Sequence, residues 1–231
     1  MDVLITGADS ELGRTVAETF RAAGHQVVVS GVRRDDLELV AKELDVDAIV
    51  CDPADATSLA QARSQFPQHL DTIVTVPGAV WVETEPRAFT AADTAAAWRS
   101  AFDRTVLSAV LTVQTVADNL RSGGSIVAVV ADNAAESGPG SAPWSAPMAA
   151  AKAALSNWTA GQAHHLGTRG ITINTVACGR TAQPGYLGLA TSQSPVATEI
   201  ARLALFLSTP AARHITGQTL HVGRGAAATY G

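Results

Sequence analysis

The chain has 231 residues, of which 47% are hydrophobic and only 16% are charged, so an intrinsically disordered chain is excluded and one domain over residues 1–231 is expected. The net charge of −5 and the lack of any basic run argue against nucleic-acid binding. The chain has no stretch of about eighteen or more apolar residues, so no membrane-spanning helix is expected. Cys51 and Cys178 show neither metal-ligand spacing nor a disulfide framework, and the first apolar run begins too close to Met1 for a signal peptide. We therefore expect a reduced, cytoplasmic protein without a bound metal.

Short apolar runs alternate with helical patterns along the chain. The predicted strands cover residues 3–6, 27–29, 48–50, 72–76, 126–130, 171–176 and 219–222. The predicted helices cover residues 12–20, 37–44, 58–66, 93–120, 148–166 and 200–207. Asp93 is the expected N-cap of the long fourth helix, and Gly123 and Gly124 are expected to end it. Buried strands that alternate with helices predict an α/β fold, a Rossmann-type doubly wound parallel sheet with helices on both faces.

A turn that contains two glycines joins the first strand to the first helix. Such a turn lets the backbone approach a pyrophosphate, and the helix that follows supplies unpaired N–H groups and the positive end of its dipole. The alternative is a tight turn that binds no ligand. The position of the two-glycine turn after the first strand of an α/β chain favours a dinucleotide site over this alternative. The residues that we expect to bind there are Thr6, Gly7, Ser10, Leu12 and Gly13.

This turn resembles that of the short-chain dehydrogenase/reductase family, which reads T-G-x-x-x-G-x-G, and the resemblance extends over essentially the whole chain. Thr6, Gly7 and Gly13 match the pattern, whereas Glu11 replaces the middle glycine. A carboxylate that faced the cofactor would repel its phosphates, and one that faced solvent would cost little. The resemblance implies a nicotinamide dinucleotide as cofactor.

The resemblance also assigns residues to the adenosine half of the cofactor. Relatives that prefer NAD place an acid near Gly31, and the sequence has none there, whereas Arg33 or Arg34 would suit a 2′-phosphate. We therefore predict NADP in preference to NAD; the alternative is that both arginines are simply solvated. Asp52 matches the family residue that faces the adenine amino group, but Pro53 lacks the N–H that the next residue donates to the ring.

Three further positions complete the predicted cofactor site. Gly78 stands where the family has the glycine of N-N-A-G. Gly179 ends a segment that resembles the family's N-x-V-x-P-G, with Cys178 in place of the proline. Backbone groups after this glycine meet the nicotinamide amide in the family, which implicates Thr181.

The catalytic pattern of the family is largely altered. In the family a Tyr donates the proton, a Lys four residues later lowers its pKa and binds the nicotinamide ribose, a Ser polarises the carbonyl, and an Asn holds a relay water. Lys152 matches, but Met148, Ala131 and Thr105 take the Tyr, Ser and Asn positions. The alternatives for the Ser position are Ser137, Ser141 and Ser145, which lie in the loop before this helix. A thioether donates no proton and a methyl group polarises nothing. The standard chemistry is therefore not expected.

Two observations bear on what remains of the site. Lys152 is one of only two lysines in the chain, so its place on the motif favours retained cofactor binding over an ordinary surface lysine. Tyr186 lies in the segment that would cover the substrate, and it is our candidate for a substitute proton donor. His164 and His165 come too late on their helix to face the site and are expected at the surface.

Three functions stay open. The preferred one is a catalytically degenerate family member that binds NADP(H) as a sensor, partner subunit or scaffold. The second is a working NADP-dependent oxidoreductase that reduces a carbonyl or oxidises an alcohol with a relocated donor. The third is a structural subunit that binds no nucleotide. The last strand and the helix from Trp98 to Leu120 imply a homodimer or homotetramer by resemblance.

Overall fold

The structure is a computed structural model that describes residues 1–77, 90–130, 142–178 and 196–222, with the backbone alone for residues 142–145 and 178. Within these ranges seven parallel strands form one sheet in the order β3-β2-β1-β4-β5-β6-β7. The strands are β1 (Asp2–Thr6), β2 (Gln26–Gly31), β3 (Asp47–Val50), β4 (Leu70–Thr75), β5 (Leu120–Val130), β6 (Thr172–Cys178) and β7 (Thr219–Val222). Every predicted strand and the parallel doubly wound sheet are thus confirmed.

Helices cover both faces of this sheet. They are α1 (Glu11–Ala22), α2 (Arg34–Leu44), α3 (Ala56–Ala62), α4 (Ala91–Phe102), α5 (Ser108–Val116), α6 (Ala142–Gly167) and α7 (Val196–Leu207). On one face Ile5 of β1 packs with Phe20 of α1 and Ile200 of α7. On the other face Leu4 of β1 packs in a cluster that includes Leu59 of α3. Alternate residues of one buried strand therefore supply both hydrophobic layers. No helix in the described ranges combines the length and apolar character needed to cross a bilayer.

The long fourth helix differs from its prediction at both ends. Thr90 is the N-cap: its hydroxyl accepts from the Asp93 N–H and the Asp93 carboxylate accepts from the Thr90 N–H, so Asp93 completes a capping box instead of capping the helix itself. The helix passes through a π-helical turn (Asp103–Leu107) and ends as α5, well before Gly123. Because Leu120 is buried and pairs with Leu70 of β4, the chain enters the sheet before the glycines.

The order of the strands reverses between β1 and β4, which are neighbours in the sheet but not in the chain. Their carboxyl ends bring the turn after Thr6 beside the residues that follow Thr75. Open α/β sheets bind ligands at such a reversal, outside the carboxyl ends of the strands. The fold therefore places the glycine turn where a ligand is expected.

Candidate functional site

The two matching glycines are required by the turn itself. Gly7 has φ +66°, and a Cβ there would lie well inside 3.0 Å of the Val76 carbonyl oxygen. A Cβ on Gly13 would meet the Gly7 carbonyl oxygen in the same way. The Thr6 hydroxyl accepts from the Val76 N–H at 3.3 Å and ties the turn to the end of β4. The turn is thus a tightly packed junction between β1, α1 and β4.

The N-terminus of α1 faces this junction. Ser10 is the N-cap, with its hydroxyl accepting from the Gly13 N–H at 3.1 Å and donating to the Gly7 carbonyl at 2.7 Å. The N–H groups of Glu11 and Leu12 precede the intrahelical hydrogen-bond pattern, so they can bind an anion together with the helix dipole. Glu11 is exposed at the first position of the helix.

Replacing Glu11 with Gly should tighten dinucleotide binding about fivefold, because it removes a negative charge close to the two N–H groups that would hold the diphosphate. Glu11→Gln serves as the matched variant, since it removes the charge and keeps the side chain. Fluorescence titration with the reduced dinucleotide measures both. Unchanged affinity in both variants would show that the Glu11 carboxylate points to solvent and does not repel the phosphates.

Asp9 supplies an acid that the sequence analysis missed. Its Oδ2 accepts from the N–H groups of Val32 at 3.2 Å and Arg33 at 3.0 Å, and only 7% of its side chain is exposed. A Cβ on Gly31 would lie 2.6 Å from Asp9 Oδ1, so the carboxylate lies where only a glycine leaves room. The expectation that no acid lies near Gly31 is therefore wrong, because the acid comes from the turn after β1. The pairing of Thr6 with Ser30 in neighbouring parallel strands brings the two turns together, and the sequence alone does not give this register.

Arg33, predicted to hold a 2′-phosphate, is already paired with carboxylates. Its Nε lies 3.0 Å from Asp36 Oδ2 and 3.5 Å from Asp9 Oδ2, and its guanidinium also donates to the Asp9 carbonyl. Arg34, the other arginine of this turn, pairs with Glu38 at 3.4 Å. A phosphate at this place would therefore meet carboxylates as well as guanidinium groups.

The end of β3 carries the residues assigned to adenine. Asp52 Oδ1 accepts from the Ala54 N–H at 2.9 Å, which orients the carboxylate, while Pro53 is buried and has no N–H to donate. Burial is the main cause that raises the pKa of the neighbouring Cys51 thiol to about 11, and the Asp52 and Asp9 carboxylates act in the same direction. Cys51 is therefore a protonated thiol at neutral pH and not a nucleophile.

The helix α6 places two of the four family catalytic positions. Met148 and Lys152 lie one helical turn apart, and both are half-buried. Thr105 lies in the π-helical turn, which packs against α6; it is 2% exposed, and its hydroxyl has no hydrogen-bond partner among the described residues. His164 and His165 are exposed near the end of α6, as predicted. The remaining predicted site residues lie outside the described ranges: Gly78, Ala131, Gly179, Thr181 and Tyr186.

The fold and the glycine turn together define the class: a doubly wound α/β protein. Its glycine turn lies at the carboxyl ends of the strands, where such sheets bind ligands. Residues 7–227 match the family model described as enoyl-(acyl carrier protein) reductase. The chain belongs to the short-chain dehydrogenase/reductase family, and the resemblance inferred from the turn is confirmed at the level of the family.

Relatives and solved structures agree with this assignment. The chain is 64% identical over 231 residues, and over 100% of both chains, to a Mycobacterium tuberculosis (strain H37Rv) protein described as a "putative oxidoreductase". It is 28% identical to the 7alpha-hydroxysteroid dehydrogenase of Escherichia coli K12, over 96% of this chain and 92% of the relative. The structure matches a short-chain dehydrogenase/reductase from Serratia marcescens with a TM-score of 0.75 and 26% identity, covering 97% of this chain and 96% of the other. The chain is thus a member of an oxidoreductase family along its whole length.

Proposed function

We propose that this chain binds a nicotinamide dinucleotide at the carboxyl ends of β1, β2 and β4 and acts as an oxidoreductase on a carbonyl or alcohol substrate. The observation that carries the proposal is the N-terminus of α1, which Ser10 caps and which directs the N–H groups of Glu11 and Leu12 to the reversal point of the sheet. The buried, unpartnered Oδ1 of Asp9 beside this turn fits a ribose hydroxyl, which is a donor of the kind it lacks.

Particular residues take separate roles in this proposal. The nicotinamide ring supplies or accepts the hydride when it is bound. Lys152 binds the hydroxyls of the nicotinamide ribose, and Asp52 accepts from the adenine amino group. Gly78, Gly179 and Thr181 stay predicted contacts of the cofactor.

The proton donor of the reaction is not at position 148. Met148 stands one helical turn before Lys152, where the family has its Tyr, and a thioether carries no proton to donate. A working enzyme therefore needs another donor, for which Tyr186 is our candidate. The loss of a general acid lowers a rate by roughly 10²–10⁴ when nothing replaces it.

A second function, dinucleotide binding without turnover, is favoured by the replacement of the family's catalytic residues. Met148 and Ala131 together remove the proton donor and the carbonyl-polarising hydroxyl, whereas the turn and Lys152 are kept. Such a chain would report dinucleotide levels or serve as a partner subunit. The two functions share the binding site and differ only in the chemical step.

Lys152→Ala should weaken dinucleotide binding roughly ten- to a hundredfold, since a hydrogen bond from a charged donor contributes about 1.5–3 kcal/mol. Lys42→Ala is the matched control: it removes the chain's other lysine, which is exposed on α2, and should leave the affinity unchanged. Titration of the full chain with NADH and with NADPH, followed by nicotinamide fluorescence, measures both variants. A wild type that binds neither dinucleotide contradicts the proposed function and favours the structural subunit.

We also propose that the chain forms a homodimer or homotetramer. Trp98 on α4 and Leu107 in the π-helical turn are each 40% exposed, and Phe206 on α7 is 43% exposed. Large apolar side chains that form a contiguous patch at a surface are typical of protein contacts. Light scattering of the purified chain tests this proposal.

A further inference from the structure

We propose that Asp9 makes this chain select NAD(H) over NADP(H), by accepting a hydrogen bond from the adenosine ribose hydroxyls through Oδ1. This inference rests on the proposed dinucleotide binding. It reverses the preference for NADP that Arg33 predicts from the sequence.

The position of Asp9 follows from the sheet. Because β1 and β2 are parallel neighbours with Thr6 opposite Ser30, the turn after β1 meets the turn after β2 at the carboxyl edge. The Ala8 N–H donates to the Ser30 carbonyl at 3.1 Å and joins the two turns. The adenosine ribose of a dinucleotide bound to the α1 N-terminus lies at the end of the second strand. Asp9 therefore reaches the ribose position from a different segment than the one on which relatives carry their acid.

The two oxygens of the Asp9 carboxylate have different surroundings. Oδ2 accepts from the backbone N–H groups of Val32 and Arg33 and anchors the side chain. Oδ1 lies over Gly31, is buried, and has no hydrogen-bond partner among the described residues. A buried acceptor without a donor is unfavourable, and this is more pronounced for a charged one. A ribose hydroxyl supplies the missing donor.

A 2′-phosphate would replace that donor with a second anion. Arg33 does not offset the repulsion between the two anions, because its guanidinium already faces Asp9 and Asp36. Asp9 and the segment 33–38 together carry four carboxylates against two guanidinium groups. The local charge is thus negative where NADP carries its extra phosphate, so a 2′-phosphate is repelled and a free 2′-hydroxyl is accepted.

The test is a fluorescence titration of the full chain with NADH and with NADPH, for the wild type, Asp9→Asn and Asp36→Asn. We expect the wild type to bind NADH about tenfold tighter or more. Asp9→Asn should narrow the ratio of the two affinities by roughly tenfold, mainly because NADPH binds better. Asp36→Asn removes the same charge from the same arginine at an exposed position away from Gly31, and should change the ratio less than about threefold.

A purely structural Asp9 would change the stability of the variant but not the ratio of NADH to NADPH affinities. Wild-type chain that binds NADPH as tightly as NADH, or tighter, overturns the proposal, and so does an equal change of the ratio in Asp9→Asn and Asp36→Asn. If Asp9→Asn fails to fold, the order of the two wild-type affinities decides alone. Binding of neither dinucleotide is the separate result that overturns the proposed function, and the role of Asp9 with it.

Discussion

Gly13→Ala is expected to lower the free energy of unfolding by roughly 3 kcal/mol or more, and to abolish dinucleotide binding in whatever fraction still folds. The added Cβ would overlap the Gly7 carbonyl oxygen and crowd the Ala8 Cα, which are backbone atoms at a strand–helix junction. Such atoms cannot rotate away as a flexible side chain could, so either β1 or α1 must shift. Urea unfolding followed by circular dichroism measures the change.

Gly161→Ala is the matched control for this experiment. Gly161 lies inside α6, is exposed, and beyond its chain neighbours and the backbone of its own helix no atom of the described residues lies within 4 Å of its ideal Cβ position. The same substitution should therefore raise the stability by about 0.5–1 kcal/mol, because alanine loses less backbone entropy in a helix than glycine does. Equal effects at positions 13 and 161 would contradict the geometry of the turn.

If no relocated donor replaces the missing acid, Met148→Tyr combined with Ala131→Ser should raise the rate of carbonyl reduction by at least about a hundredfold over the wild type, measured as oxidation of the reduced dinucleotide on a panel of ketones and aldehydes. Lys152 already stands one helical turn beyond position 148, so its ammonium can lower the pKa of a phenol placed there. Met148→Phe with Ala131→Ser is the matched control, since it adds the ring without the hydroxyl and should give no gain. Lys152→Ala in the tyrosine background should abolish the new activity.

The wild type in the same assay separates the two proposed functions. Activity that disappears in Tyr186→Phe supports an oxidoreductase with a relocated proton donor. Dinucleotide binding without turnover of any substrate in the panel supports the binding protein. Robust wild-type turnover that survives Tyr186→Phe contradicts both the inactive protein and the substitute donor.

Local signals were sufficient for most of the fold. Continuous apolar runs such as residues 27–29 predict strands buried on both faces, and the periodicity of α1 predicts a helix, because burial of one chain segment depends mainly on its own side chains. The glycine turn could be recognised for the same reason, since Gly7 and Gly13 serve contacts within one short segment. Boundaries were less predictable where tertiary pairing decided them: Leu120 joins β4 through Leu70, so β5 begins before the two glycines that looked like a helix end.

The charge around Gly31, where we propose that adenosine binds, depended on tertiary structure. From the sequence, Gly31 is followed by arginines, and no acid stands near it. In the fold, parallel pairing of β1 with β2 brings Asp9 across more than twenty residues of chain, where its carboxylate binds the Val32 and Arg33 N–H groups. The sequence by itself determined the fold class, the family and the glycine turn, which depend on periodicity and short motifs. Only the tertiary structure decided the charge beside Gly31, because the interaction of a carboxylate with a guanidinium depends on their distance in space.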